Sequence, residues 1–160
     1  MLTVNIIAIG RLKEEYLRRG VEEYSKRLAA FCKFNIIELD EYRLPDNPSL
    51  SQIAACINAE GEKISAKIPN GAYVFSMCIE GRQMPSESLA ERIKSISLQG
   101  KSCICFIIGG SYGLAEAVKQ KSDFKLSMSE MTFPHQLARL MMSEQIYRAF
   151  SINANTKYHK

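Results

Sequence analysis

The stretch SCICFIIGGSYGL, residues 102–114, is the most strand-like run of the chain and passes directly into a glycine loop. Apolar residues fill Cys103 to Ile108, and the glycines that follow let the backbone turn sharply and approach a ligand or another segment closely. Downstream, Leu114 to Gln120 reads as a short helix and Phe124 to Met128 as a further strand. Upstream, the same alternation runs back to the start. LTVNIIAI, residues 2–9, is β-branched and apolar almost throughout, the pattern of a parallel strand covered on both faces, and Gly10 closes it. Leu17, Val21, Tyr24, Leu28 and Phe31 recur at spacings of three and four opposite charged residues, which marks an amphipathic helix. Asn35 to Leu39 is a short strand and EYRLPDNPS a surface loop. Ser49 to Ile68 reads as a helix weakened at Gly61, Tyr73 to Ile79 as a strand ended by Gly81, and Ser86 as the cap of a helix reaching about Gln99.

Strands alternating with helices predict an α/β fold, a mostly parallel sheet flanked by helices, with ligands gathering at the carboxyl ends of the strands. The loops after Ile108 and after Met128 are therefore the places to search. No repeat or linker divides residues 1–160, so one domain is expected, of a size that withdraws roughly 70% of its unfolded surface from water. A composition of 46% hydrophobic and 24% charged residues excludes disordered and fibrous classes. MLTVNIIAIG has neither a basic leader nor a cleavage site, and no apolar run reaches a membrane span, so a cytoplasmic protein without membrane attachment is expected. The 5 cysteines lack CxxC spacing, which argues against a disulfide framework and against a metal site. They read as core residues, with Cys103 and Cys105 on one strand face. The 21 Lys and Arg against 17 Asp and Glu give a formal charge of +4, which tolerates a polyanionic partner without requiring one.

The last helix is expected to start at Pro134, with Thr132 as a candidate cap, and to extend to about Phe150. Its apolar surface, Leu137, Leu140 and Met141 on one side and Met142, Ile146, Ala149 and Phe150 on another, is wider than a helix resting on one sheet needs. That width suggests a twofold homodimer with this helix at the interface, or burial of both faces within one subunit.

GGSYG, residues 109–113, matches the G-x-S-x-G nucleophile elbow, and Asp123 and His135 follow Ser111 in the order a serine hydrolase requires. Only one strand is predicted after the elbow, which weakens that reading. The chain has no phosphate loop, no HExxH and no GxGxxG, so an adenine-bearing ligand without a phosphate fits better than a nucleotide. The tail NTKYHK is of the kind that frays, yet Tyr158, His159 and Lys160 combine a stacking ring, an imidazole and a phosphate contact suited to an unstacked RNA base.

FIIGGSYGL, LSMSEMTFPHQLARLMMSEQIYRAF and the terminal YHK closely resemble the ribosomal large-subunit RNA methyltransferase H family of the SPOUT superfamily. GRLK, EEY, YSKRL and IEGRQMPSESLA extend the likeness over nearly the whole chain, with divergence around residues 40–60. The resemblance implies a sheet whose C-terminal part forms a trefoil knot, a homodimer, and methyl transfer from S-adenosylmethionine to N3 of a pseudouridine in large-subunit ribosomal RNA on the assembled 70S ribosome. It implies a cofactor pocket of Met77, Gly109, Met128, Ser129, Glu130, Met131, Thr132 and Phe133, acting largely through backbone groups. Tyr158 and His159 are the candidate catalytic residues, and Arg148 and Lys160 the candidate RNA contacts, with the tail of one subunit completing the other's pocket. Arg148 also sits four residues after Glu144, the spacing of an ordinary helical ion pair. A ribosome-binding protein without catalysis is the further alternative.

Overall fold

In the computed structural model, which describes residues 1–159, strand β1 (Thr3–Ile9) is followed by α1 (Glu15–Leu28), β2 (Lys33–Leu39), α2 (Leu50–Lys67) and β3 (Tyr73–Arg82). Then come α3 (Ser86–Leu98), β4 (Cys103–Ile108), α4 (Glu116–Lys121), β5 (Phe124–Leu126), α5 (His135–Asn153) and a 3₁₀ turn, Lys157–His159. The strands form one sheet in the order β2-β1-β4-β3-β5, and every pairing is parallel.

Parallel neighbours need crossovers, and crossovers are right-handed. From β1 to β2 and from β3 to β4 the chain steps toward the β2 edge; from β2 to β3 and from β4 to β5 it steps the other way. The rule therefore puts α1 and α3 on one face and α2 and α4 on the other. The packing agrees. Val4, Ile6, Phe75, Ile104 and Phe106 meet Leu28, Leu89, Ile93 and, from α5, Met142, Ile146 and Ala149. The alternate strand residues Ile7, Ile9, Val74, Cys105 and Ile107 meet Ile64, Leu114 and Val118. Phe75 and Phe106 are register partners, and their rings stack with centroids 4.6 Å apart.

α5 lies against both α1 and α3. Its wide apolar surface is thus largely taken up inside one chain, with Leu137 and Leu140 packed on Leu17 and Val21 of α1. The 5 cysteines are free thiols. Burial pushes Cys32 up to about 11, and burial with the adjoining Cys103 pushes Cys105 up to about 12, so both behave as apolar filler. Among the described residues no helix is long and apolar enough to cross a membrane.

Several expected boundaries move for identifiable reasons. Gly81 does not end β3, which runs on to Arg82; a Cβ at Gly81 would lie 2.7 Å from the Lys125 carbonyl oxygen, so the glycine lets β3 stay close to β5 through a register shift. Gly61 likewise serves close packing, since its Cβ would come 2.8 Å from that of Ala115. The cap of α3 is Pro85, and Ser86 instead donates to Gln145 Oε1 at 2.7 Å. Pro134, not Thr132, is the N-cap of α5, which continues past Phe150 to Asn153.

Arg139 ties α5 to the sheet. Its side chain is 1% exposed, with Nη1 donating to Glu38 Oε2 at 2.6 Å and Nη2 to the Gly10 carbonyl at 2.9 Å. Both partners stand at the carboxyl ends of β2 and β1. Arg139→Ala strands that carbonyl and removes the charge that faces Glu38, a change worth about 3 kcal/mol. At this chain length it should lower the melting temperature by roughly 10 °C, measured by differential scanning calorimetry.

Candidate active site

The carboxyl ends of β3, β4 and β5 open into a cleft of about 850 Å³. Its floor is the turn after β4, where the Gly113 N–H donates to the Gly110 carbonyl at 3.1 Å and Gly113 has φ 85°. A Cβ on Gly109 would lie 2.7 Å from the Gly113 carbonyl carbon, so only glycine lets this turn close on itself. The opposite wall is the loop after β5. It holds its own shape: Ser127 Oγ donates to the Ser129 carbonyl and the Met131 N–H donates to Ser129 Oγ, both at 3.0 Å.

Met77, Gly109, Met128, Ser129, Met131, Thr132 and Phe133 all line this cleft, as the resemblance implies. Glu130 is exposed and is not among the lining residues. The turn residues Ser111 and Tyr112, and His135 at the start of α5, complete the wall. Two lining residues were not singled out from the sequence, although Glu80 lies within IEGRQMPSESLA. Glu80 beyond the middle of β3 and Lys119 on α4 form an ion pair at 2.5 Å, and they are the charged side chains of an otherwise apolar and neutral wall. The bond to Glu80 holds the Lys119 ammonium above its ordinary range, and the same bond holds the Glu80 carboxyl below its own. They stand 39 residues apart, joined only by the packing of α4 beside β3.

Among the described residues, none of the tail lines this cleft in one chain. Instead of fraying, Tyr158 packs edge-on against Tyr147 with centroids 4.6 Å apart, and its hydroxyl donates to Glu144 Oε1 at 3.1 Å. Because that bond uses Tyr158's proton, the Tyr24 hydroxyl is the donor across the 3.2 Å contact between the two phenols. Burial, then the Tyr24 bond and the Glu144 charge, push the Tyr158 phenol well above its ordinary range. Arg148 forms the helical pair with Glu144 at 2.6 Å and covers the Tyr158 ring, while Nδ1 of His159 lies 3.3 Å from Arg148 Nη1. Nε2 of His159 lies 2.9 Å from Glu87 Oε1. Lys160 lies outside the described residues.

Tyr24 and Glu144 also border a second cavity of about 560 Å³, walled by Met84, Leu89, Leu140 and Met141. It shares Ser127 and Met128 with the first, so the loop after β5 has one cavity on each side.

The serine-hydrolase triad is not assembled. Ser111 and His135 share the cleft, but the Asp123 carboxylate accepts the Val74 N–H at 2.8 Å, at the amino end of β3 and so at the opposite edge of the sheet. Ser111 itself lies inside the Gly110 to Gly113 turn rather than at a strand-to-helix elbow, since α4 begins only at Glu116. Among the described residues no group of three or more His, Cys, Asp or Glu is placed to hold a metal ion.

An all-parallel α/β sheet with a glycine-floored, largely apolar cleft at its carboxyl edge defines the class of α/β proteins that receive a small ligand where the strands end. The chain belongs to the SPOUT methyltransferase family: a family model described as "Predicted SPOUT methyltransferase" matches residues 2–159. Proteins named "Ribosomal RNA large subunit methyltransferase H" are similar to it along their whole length. That of Clostridioides difficile is 44% identical, that of Finegoldia magna 48% and that of Bacillus pumilus 47%, each over 99% of this chain and 100% of the relative. A solved structure described as "a probable methylase family protein from Haemophilus influenzae Rd KW20" superposes with TM-score 0.54 at 13% identity, over 99% of this chain and 70% of that one, a likeness of fold alone.

Two outcomes follow from this geometry. A fluorophosphonate will leave Ser111 unlabelled, as intact-mass spectrometry will read. For the Glu80 and Lys119 pair, the depressed carboxyl contributes stability that is lost as pH falls through its folded pKa, and the raised ammonium contributes stability that is lost as pH rises through its own. The pair therefore stabilises between the ordinary values 4.5 and 10.5. With Glu80's side chain 57% exposed, a double-mutant cycle with Glu80→Gln and Lys119→Met should give a coupling below about 1 kcal/mol at pH 7 that is lost as pH falls through the depressed range of the Glu80 carboxyl.

Proposed function

We propose that this enzyme transfers a methyl group from S-adenosylmethionine to N3 of a pseudouridine in large-subunit ribosomal RNA, acting in the cytoplasm on the assembled 70S ribosome. The observation that carries the reading is the end-to-end correspondence with relatives named ribosomal RNA large subunit methyltransferase H, in a chain whose cleft is lined by the motif residues of the resemblance.

The cleft fits the cofactor. Met77, Met128, Met131 and Phe133 offer apolar walls for adenine, and Gly109 keeps the floor free of side chains. The backbone of Met128 to Phe133 supplies donors and acceptors for the base and ribose, with Glu130 at its exposed rim. When bound, S-adenosylmethionine supplies an electrophilic methyl on a sulfonium. The protein must then align the acceptor nitrogen and remove its proton.

Tyr158 and His159 are the candidates for that work, with Arg148 and Lys160 on nearby phosphate. In one chain the first three line neither cavity: Tyr158 and Arg148 are bonded to residues that border the second one, Tyr24 and Glu144, and His159 to Arg148 and Glu87. The reading therefore requires a twofold homodimer in which the tail of one subunit meets the cleft of the other. The apolar groove of Met84, Leu89, Leu140 and Met141, next to the shared loop, supports such a contact. The family's trefoil knot is carried over as part of the same proposal.

The test is transfer of labelled methyl from S-adenosylmethionine to 70S ribosomes from cells lacking the enzyme. Label on a pseudouridine of the large-subunit RNA supports the reading; cofactor binding without label on ribosomes refutes the substrate. Deleting Tyr158 to Lys160 should leave a folded, cofactor-binding protein whose single-turnover rate falls at least roughly 100-fold. Retained turnover would exclude the tail, and light scattering that returns a monomer would exclude completion in trans.

A further inference from the structure

The motif residues account for the neutral part of the cofactor and leave its charged end without a partner. S-adenosylmethionine carries an α-amino-acid end, a carboxylate beside an ammonium. Removing such charges from water is costly unless opposite charges or hydrogen bonds replace the water. The loop after β5 puts only neutral side chains into the cleft wall, its backbone groups being assigned to base and ribose, and its one carboxylate, Glu130, is exposed and outside the lining. Among the described residues of the cleft wall, the charged side chains are Glu80 and Lys119.

We propose that Glu80 and Lys119 form the subsite for the amino-acid end of the cofactor, Lys119 taking its carboxylate and Glu80 its ammonium. The assignment rests on S-adenosylmethionine being the ligand of the cleft. A bound pair of opposite charges presents a donor and an acceptor side by side, the complement of a zwitterion that presents an acceptor and a donor side by side. The Lys119 ammonium has three protons, and among the described residues its bond is to Glu80, which leaves donors to spare. Its side chain is 17% exposed, held in the cleft wall, whereas Glu80's is 57% exposed and reaches the opening. The two come from different elements, β3 and α4, so the sheet and the helix fix their separation before any ligand arrives. Each holds the other in its charged form. Lys125 and Glu116 add a more distant charge of each sign, and the nearby Cys78 thiol, raised by burial and then by Glu80, stays neutral. An exposed ion pair contributes too little to stability to account for its own placement in this wall.

Three ligands separate the possibilities in calorimetric titrations of the purified protein: S-adenosylmethionine, S-adenosylhomocysteine and 5′-methylthioadenosine. The second lacks the sulfonium charge and keeps the amino-acid end; the third lacks that end altogether. Lys119→Met and Glu80→Gln should each weaken binding of the first two about 10-fold or more, and alter the third by less than about twofold. Lys119→Arg should restore part of the loss, with melting temperatures confirming that each variant is folded. Parallel weakening of all three ligands would overturn the subsite by showing that the pair only shapes the cleft. Weakening of S-adenosylmethionine alone would place Glu80 on the sulfonium and also overturn it, as would unchanged affinities in both variants. A wild-type protein that binds none of the three would instead overturn the cofactor reading on which the subsite rests.

Discussion

Parallel pairing of β1 with β4 at the centre of the sheet is the constraint from which the rest follows. Both strands are buried on both faces, so helices must cover each side, and right-handed crossovers decide which helix goes where. Because every strand runs the same way, each β-to-α loop emerges at one edge. The cleft is the meeting of two of those loops, after β4 and after β5, with the far end of β3 between them. Arg139 fixes the third side. By bonding Gly10 and Glu38 it holds the start of α5, and with it Pro134 and His135, against the ends of the first two strands.

A cleft assembled this way presents few side-chain charges, because most of its wall is backbone and apolar residues. Such a wall discriminates by shape and by backbone hydrogen bonds, which suits an uncharged base and ribose. Its few charges are then the groups that can single out a charged part of a ligand. The exposed pairs on α1, Arg19 with Glu15 and Arg27 with Glu23, have the same chemistry as Glu80 with Lys119 but line neither cavity. Placement, not composition, separates them.

What could be read in the sequence follows the range of the interaction. The unbroken apolar run of β1 declared a strand covered on both faces, and the glycine turn after β4 and the loop after β5, which border the cleft, were legible because each is local in the chain. Long-range contacts were not. Gly81 reads as a strand end, yet it continues β3, because its role depends on the Lys125 carbonyl 2.7 Å away on another strand. The width of the α5 apolar surface was visible, but α1 and α3 both packing on it was not. Asp123 follows Ser111 in a suggestive order, and only the sheet puts them at opposite edges. The resemblance supplied the candidate cofactor residues through motif; Glu80 lies within one of its motifs, but the pairing of Glu80 with Lys119 exists only after folding.

The tail poses the sharper physical question, because its groups are already satisfied in one chain. Tyr158 gives its proton to Glu144 and receives one from Tyr24, and its raised pKa keeps it protonated at neutral pH, so it is a donor and a stacking surface rather than a base. On the proposed reading, proton removal from the substrate nitrogen would fall to His159, whose imidazole here bridges Arg148 and Glu87. To act at a partner's cleft, these side chains either leave those bonds or carry them along. Glu144 borders the groove that the proposed dimer would cover, so on that reading the Tyr158, Glu144 and Arg148 contacts can stay in place while the Glu87 bond, at an exposed carboxylate, gives way to substrate.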